Sequence, residues 1–246
     1  MSPGSKPIID LDALKDIPGR SFLYPCAWED WNDVLPAFAD HFDNFIFVDI
    51  CYQFKSPKSI RIPGWNQLTD QTVLIGPPQD SMRQIVDGTS RYRDITPAWL
   101  SEEFVNDVGR VIKVTRRRGF GQFALDEVPD DSMGVFCHCG DSPGEGGSNS
   151  WYIANRRCSF PMLSNLFDKI KRKLAYPALI VSDGSLSTIR HLTRPTGTQK
   201  GSAFSTHGIV AFTHFGLDWR PVGELLGRPH DPRRRIIWRV QPACGQ

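Results

Sequence analysis

Continuous apolar runs recur along the chain and predict buried strands. Residues 45–50 (FIFVDI) and 178–182 (ALIVS) are the clearest, and residues 133–139 form a third run. Residues 21–27 (SFLYPCA) are the first strand candidate, and Pro25 marks its end. Runs without polar alternation are typical of parallel strands that are covered on both faces.

Apolar positions three and four residues apart predict helices between these strands. The first helix follows residue 27, and its regular part is expected from about Asp33 because Pro36 disturbs a helix interior. Its apolar face comprises Trp31, Val34, Leu35, Phe38 and Phe42. A second helix, capped by Ser159, precedes residue 178 with the face Leu163, Leu166, Phe167, Ile170 and Leu174. The order strand, helix, strand thus occurs twice, which predicts two parallel βαβ units.

The remaining segments carry weaker patterns. Residues 73–75 suggest a short strand, 97–108 a helix capped by Thr96, and 110–116 a strand that forms a hairpin with 120–125. Residues 209–215 and 235–240 suggest two strands that pair antiparallel, because Pro221 and Gly223 interrupt the chain between them.

These elements together predict an α/β fold: a three-layer Rossmann-like sheet, mostly parallel, with an antiparallel C-terminal strand pair. Residues 1–20 are expected to form an N-terminal leader. Residues 21–246 are expected to form a single domain, with a possible insertion at 51–131.

Composition narrows the class of protein. The chain has 246 residues, 40% hydrophobic and 23% charged, and a formal net charge of +2, which does not indicate a nucleic-acid or membrane partner. The arginine triplets 116–118 and 233–235 could contact phosphates, but a solubilising role at sheet edges is the favoured interpretation.

Targeting features and cysteines suggest a compartment. No run of about 18 apolar residues and no signal-peptide pattern occurs, so we expect a cytoplasmic protein that does not enter membranes. Six cysteines without a framework spacing are expected to be reduced thiols.

Residues 134–149 (GVFCHCGDSPGEGGSN) form the most distinctive stretch, a strand that leads into a glycine-rich loop. Asp49, Asp141 and Asp183 each follow a predicted strand, and ligands of open α/β sheets bind beyond such strand ends. The three acids are therefore candidates for residues that line one cleft. Asp49 could equally be a solvated turn residue or a cap for the segment that follows it.

The glycines of this loop suggest what it could bind. Gly144, Gly146 and Gly147, with Ser148, would let backbone N–H groups cradle a phosphate or carboxylate, although a flexible surface loop is the alternative. Residues 149–151 (NSW) add polar and stacking groups for a planar ligand. Neighbouring residues of a strand point to opposite faces, so His138 and the two cysteines beside it are not expected to share a metal.

The order of elements resembles a class I S-adenosylmethionine-dependent methyltransferase domain. That resemblance implies that Asp49 holds the ribose of S-adenosylmethionine. It also implies that Tyr24 and Cys26 of the first loop, the 144–148 loop and Asp183 contact the same cofactor. Asp141 or Glu145 would then accept a proton or orient the acceptor.

The functional expectation is accordingly a methyltransferase-like enzyme that uses S-adenosylmethionine on an unknown acceptor. Two alternatives remain. The protein could bind a nucleotide-like small molecule or phosphorylated metabolite without methyl transfer, or it could be a non-catalytic interaction protein with a vestigial site.

Overall fold

The computed structural model describes residues 8–10, 12–25, 27–49, 51–55, 57–69, 72–76, 82–86, 89–93, 96–119, 121–138, 166–182, 211–225 and 235–244. The helices in these ranges are α1 (Asp12–Lys15), α2 (Trp31–Phe38), α3 (Gly121–Glu127) and α4 (Leu166–Lys173). The strands are β1 (Ile8–Ile9), β2 (Ser21–Pro25), β3 (Asn44–Asp49), β4 (Trp65–Gln67), β5 (Thr72–Ile75), β6 (Met82–Val86), β7 (Thr89–Arg93), β8 (Ala98–Asn106), β9 (Val111–Arg118), β10 (Met133–His138), β11 (Leu174–Ser182), β12 (Phe212–His214), β13 (Leu217–Leu225) and β14 (Arg235–Pro242).

One mixed sheet of 12 strands dominates the described structure. Its order is β1-β13-β14-β11-β10-β2-β3-β9-β8-β4, with β12 added to β13 and β5 added to β8, while β6 and β7 form a separate hairpin. The central strands β11, β10, β2, β3 and β9 are parallel to their neighbours within this block. The pairings outside the block are antiparallel.

The predicted three-layer Rossmann-like α/β fold was therefore wrong. The described helices are only four to eight residues long, and the main sheet has more antiparallel than parallel pairings. The antiparallel pairings arise because the flanking strands come as neighbours in the chain, β8 with β9 and β13 with β14. The resemblance to S-adenosylmethionine-dependent methyltransferases rested on the Rossmann-like architecture, so it was wrong as well.

The two predicted parallel pairings are nevertheless present at the centre of the sheet. β2 pairs in parallel with β3 across α2, and β10 pairs in parallel with β11 across the segment that contains α4. The helix α2 begins at Trp31 rather than near Asp33 and continues through Pro36, whose side chain is exposed. Its apolar side chains are buried as the spacing predicts.

Two local predictions in the middle of the chain were wrong. Residues 97–108 contain the strand β8, whose burial alternates between buried and half-buried positions, instead of a helix. Residues 121–125 lie in the helix α3, so the predicted strand at 120–125 was wrong in this part, and β9 pairs with β3 and β8 instead.

The C-terminal strands also differ from expectation. The two predicted strands do not pair with each other, because an unpredicted strand, β13, lies between them and pairs with both β12 and β14. Pro221 and Gly223 lie inside β13, where the register shifts between them. A bulge therefore accommodates the two residues that suggested a break.

Each face of the sheet is covered by its own hydrophobic core. The first core joins α1 and α2 to the sheet and includes Phe22, Phe38 and Phe45. The second joins α3 and α4 to the opposite face and includes Phe136 and Trp238. Burial of aromatic rings of this size contributes on the order of 2 kcal/mol each relative to exposure. The strand ends between the cores are consequently held in fixed positions.

A close backbone contact fixes the alignment of β2 and β10 along the strand direction. A Cβ atom on Gly134 would lie 2.3 Å from the carbonyl oxygen of Gly19, and a Cβ atom on Gly19 would lie 2.4 Å from the nitrogen of Gly134. Only glycine permits this approach, because the obstructing atoms belong to the backbone. The β10 register is irregular at the same place, between Met133 and Val135.

The leader at 1–20, the single domain at 21–246 and the possible insertion at 51–131 stay predictions. Within those ranges, β1 pairs with β13 and the strands β8 and β9 belong to the main sheet.

Candidate functional site

The parallel strands end together along one side of the sheet, which we call the carboxyl edge. It is formed by Ser182, His138, Pro25, Asp49 and Arg118, the last residues of β11, β10, β2, β3 and β9. Neighbouring strands lie about 5 Å apart, so these ends form one continuous rim.

The direction of the crossovers reverses within this edge. From β2 the chain crosses to β3 through α2, whereas from β10 it crosses away from β2 to β11 through α4. The two helices pack on opposite faces, because α2 belongs to the first core and α4 to the second. The adjacent ends of β2 and β10 therefore form a switch point, the position where open sheets with parallel strands bind ligands.

Asp49, at the end of β3, forms hydrogen bonds to the loop after β2 and to the chain after β3. Its Oδ2 accepts a hydrogen bond from the backbone N–H of Trp28 at 2.9 Å, and its Oδ1 accepts one from the backbone N–H of Cys51 at 2.8 Å. The Asp49 carbonyl accepts a further bond from Gly119. The carboxylate thus positions the loop after β2, and the ribose-binding role predicted for it stays a prediction.

Trp28 is the most unusual residue of that loop. Its side chain is 55% exposed, and its φ of 42° lies in the left-handed region that bulky residues rarely adopt. Within the described part of the chain its indole makes no ring or cation–π contact. The next residue, Glu29, forms an ion pair with Lys58.

A buried polar cluster lies behind the switch point on the first-core face. The Tyr24 hydroxyl donates a hydrogen bond to Asp30 Oδ2 at 2.6 Å, and a terminal nitrogen of Arg235 donates to the same oxygen at 2.7 Å. Asp30 precedes α2, and Arg235 begins β14 on the far side of β10 and β11. The ion pair consequently ties the two halves of the carboxyl edge together. Tyr24 is fully buried within this cluster.

His138 and Ser182 occupy the ends of β10 and β11. They are directly paired in register and both are buried, 1% and 2% exposed. Cys137 belongs to the first core, so its side chain and that of His138 point to opposite faces, as the strand pattern predicts. In the described ranges no three histidine, cysteine or acidic residues are grouped as metal ligands.

The arginine triplet at the end of β9 divides between the two faces. Arg116 pairs with the buried Glu102 at 2.6 Å and lies 5.2 Å from the Trp31 ring centroid. Arg117 pairs with Glu127 and lies over the ring of Trp99. Both guanidinium groups are therefore engaged in ion pairs and cation–π contacts within the fold.

Arg118 differs from its two neighbours. Its Nε donates to the carbonyl oxygen of Thr96 at 2.9 Å, while its two terminal nitrogens have no hydrogen-bond partner in the described residues. Arg118 is half-buried and lies directly opposite Asp49 in the register of β3 and β9. Arg118 is therefore the member of the triplet whose terminal nitrogens have no hydrogen-bond partner among the described residues.

Several predicted site residues lie outside the described residues. They are Cys26, Asp141, Gly144, Glu145, Gly146, Gly147, Ser148 and Asp183. Their assignments stay predictions. The strand ends that precede them, at β2, β10 and β11, do lie side by side.

Sequence reasoning missed the contacts that join these loops. Asp30 and Arg235 are 205 residues apart, and no local spacing could have paired them. The sequence contains no signal for the left-handed backbone of Trp28 either, since glycine or asparagine normally marks that conformation.

None of the helices in the described ranges has the length and apolar character needed to cross a membrane. Comparisons of the chain with protein-family models, with curated proteins and with solved structures found no match.

Proposed function

We propose that this protein binds a small nucleotide-like ligand, a mononucleotide or a similar phosphorylated metabolite, at the carboxyl edge of its parallel strands. The observation that carries the proposal is the reversal of crossover direction between β2 and β10. At such a reversal the two connecting loops separate and leave a crevice beyond the strand ends.

The groups around this edge suit a phosphorylated molecule. Arg118 offers two terminal nitrogens without partners among the described residues, and a guanidinium binds phosphate oxygens through paired N–H groups. The glycine-rich segment 140–148 follows β10 directly in the sequence, and its backbone N–H groups are the proposed second phosphate contact. Methyl transfer is not carried forward, because the resemblance that implied it was wrong.

The cytoplasm is the proposed location of this binding activity. The six cysteines show no framework spacing, and Cys244 is a free thiol in the described structure. Free thiols suit a reducing compartment.

A binding measurement tests the proposal. The four nucleoside monophosphates, ribose 5-phosphate and S-adenosylmethionine are each titrated into the protein by calorimetry and by thermal shift at millimolar concentration. We expect at least one phosphorylated compound to bind and to raise the melting temperature, because a ligand that binds only the folded state stabilises it.

An arginine pair supplies the matched variants. Arg118→Gln is expected to weaken binding of the phosphorylated ligand by about tenfold or more, since it removes a charged donor from the phosphate. Arg20→Gln, at the opposite end of β2, is expected to leave the affinity unchanged. The proposal fails if no phosphorylated compound binds, or if the two variants behave alike.

A further inference from the structure

Trp28 exposes a large aromatic surface where the proposed ligand would lie. Its side chain is 55% exposed although hydrogen bonds to the end of β3 hold the backbone of its loop in place. It stands between the end of β2 and the end of β3, on the carboxyl edge. The indole face is thus open to a partner of complementary shape.

The backbone at Trp28 is held in an unfavourable conformation. A non-glycine residue in the left-handed region costs on the order of 1–2 kcal/mol. Here φ is 42°, and the conformation is imposed by the bond from Trp28 N–H to Asp49 and by a bond of 3.1 Å from Ala27 N–H to the Val48 carbonyl. Strain of this kind concentrates at ligand sites, where surrounding contacts hold a side chain in a required position.

The charges near Trp28 indicate which part of a ligand meets the indole. Residues 26–30 contain no lysine or arginine, and Glu29 and Asp30 are already paired with Lys58 and Arg235, so this loop offers a phosphate no cation of its own. Arg118 lies at the next strand end, opposite Asp49, to which Trp28 is bonded. A ligand can therefore place its phosphate on Arg118 and an uncharged ring on Trp28.

We propose that Trp28 is a stacking platform for a nucleobase, so that the ligand class of the carboxyl edge is a nucleotide rather than a sugar phosphate. This inference rests on the proposed function and specifies its ligand. Stacking of a base on an aromatic side chain does not require hydrogen-bond readout, so the platform accepts several bases.

The test compares two ligands across three proteins. Nucleoside monophosphates and ribose 5-phosphate are titrated into wild type, Trp28→Gly and Leu68→Ala by calorimetry. Leu68 is a matched control because it is 53% exposed and follows β4 at the far side of the sheet. We expect Trp28→Gly to lower nucleotide affinity by about tenfold or more and to leave ribose 5-phosphate affinity unchanged. Leu68→Ala is expected to change neither affinity.

A stability measurement separates stacking from a structural role. Glycine adopts a positive φ without strain, so Trp28→Gly is expected to melt at the same temperature as wild type or higher. Trp28→Asn, which also tolerates this backbone, is expected to reproduce both the retained stability and the lost nucleotide affinity.

The outcomes distinguish the inference from the proposed function. If nucleotides and ribose 5-phosphate bind wild type equally well and Trp28→Gly keeps both affinities, the stacking platform is refuted while phosphate binding stands. If neither ligand class binds wild type, both proposals are refuted. A large loss of melting temperature in both Trp28 variants would assign the indole to the fold and would also overturn the inference.

Discussion

At the scale of single residues, Asp49 was predicted to contact a ligand, and its carboxylate holds two backbone segments in place. Its two carboxylate oxygens each accept a backbone N–H, one from the loop after β2 and one from the chain after β3. The strained Trp28 loop depends on the first of these bonds.

Replacement of Asp49 tests that task. Asp49→Ala is expected to lower the free energy of unfolding by about 2–3 kcal/mol, because two hydrogen bonds to a charged acceptor are lost. Asp49→Asn, which keeps one acceptor oxygen, should fall between wild type and alanine. Urea denaturation measures the change, and Asp107→Ala in an exposed turn provides the control, with a change below about 0.5 kcal/mol. An unchanged unfolding free energy in Asp49→Ala would contradict the assignment.

His41 should make stability depend on pH. Burial is the main cause that lowers its pKa, and the neighbouring Arg110 and Arg20 act in the same direction, while Asp40 opposes them. The unfolded state therefore takes up a proton at higher pH than the folded state does. Stability is expected to fall as the pH drops below about 6.5, the ordinary histidine value.

Unfolding free energies of wild type and His41→Asn between pH 8 and pH 5 measure this effect. The difference between the two proteins at pH 8 serves as the reference, because both are then uncharged at position 41. We expect the variant to lose less stability than wild type on acidification. Parallel curves for the two proteins would show that His41 does not contribute.

At the scale of elements, the wrong and correct predictions have identifiable causes. The central strands were predictable because both faces are buried, so β3 and β11 are continuous apolar runs. The strand β8 was mistaken for a helix because Glu102 occupies one of its inward positions and breaks the alternating pattern. Glu102 can be buried there because it forms an ion pair with Arg116, and this ion pair exists only in the folded sheet.

The short strand β5 exposes its whole apolar sequence. Val73, Leu74 and Ile75 are 40%, 62% and 74% exposed, and no described strand pairs with β5 on the side away from β8. An apolar edge strand without charges is prone to pair with another chain.

Leu74→Lys is expected to reduce self-association at high protein concentration, because a charge at the edge opposes strand addition. Its unfolding free energy should change by less than about 0.5 kcal/mol, since the side chain is exposed. Val108→Lys, in a turn where the side chain is 86% exposed, is the matched control and should leave association unchanged. Light scattering measures the effect, and equal association of the two variants would exclude β5 as the contact.

At the scale of the whole molecule, the sheet joins elements that local patterns treat separately. The sequence indicated which strand ends precede the candidate loops, and β2, β3, β10 and β11 do end side by side. It did not indicate the flanking hairpins or the overall class, because β8 was predicted as a helix and β13 was not predicted, and because the pairings of β9 with β3 and of β14 with β11 join segments that are distant in the chain. The candidate site was therefore located by topology and only partly by motif.

The pairing of β1 with β13 has a consequence for synthesis of the protein. Ile8 pairs with Glu224, so the first strand has to wait for a partner that the ribosome makes roughly ten to forty seconds later. The unit β2–α2–β3 can form early, whereas β10 and β11 emerge only after the middle of the chain. The switch point between β2 and β10 is thus assembled from an earlier and a later product of translation. A ligand that binds there can act only after β10 has been synthesised.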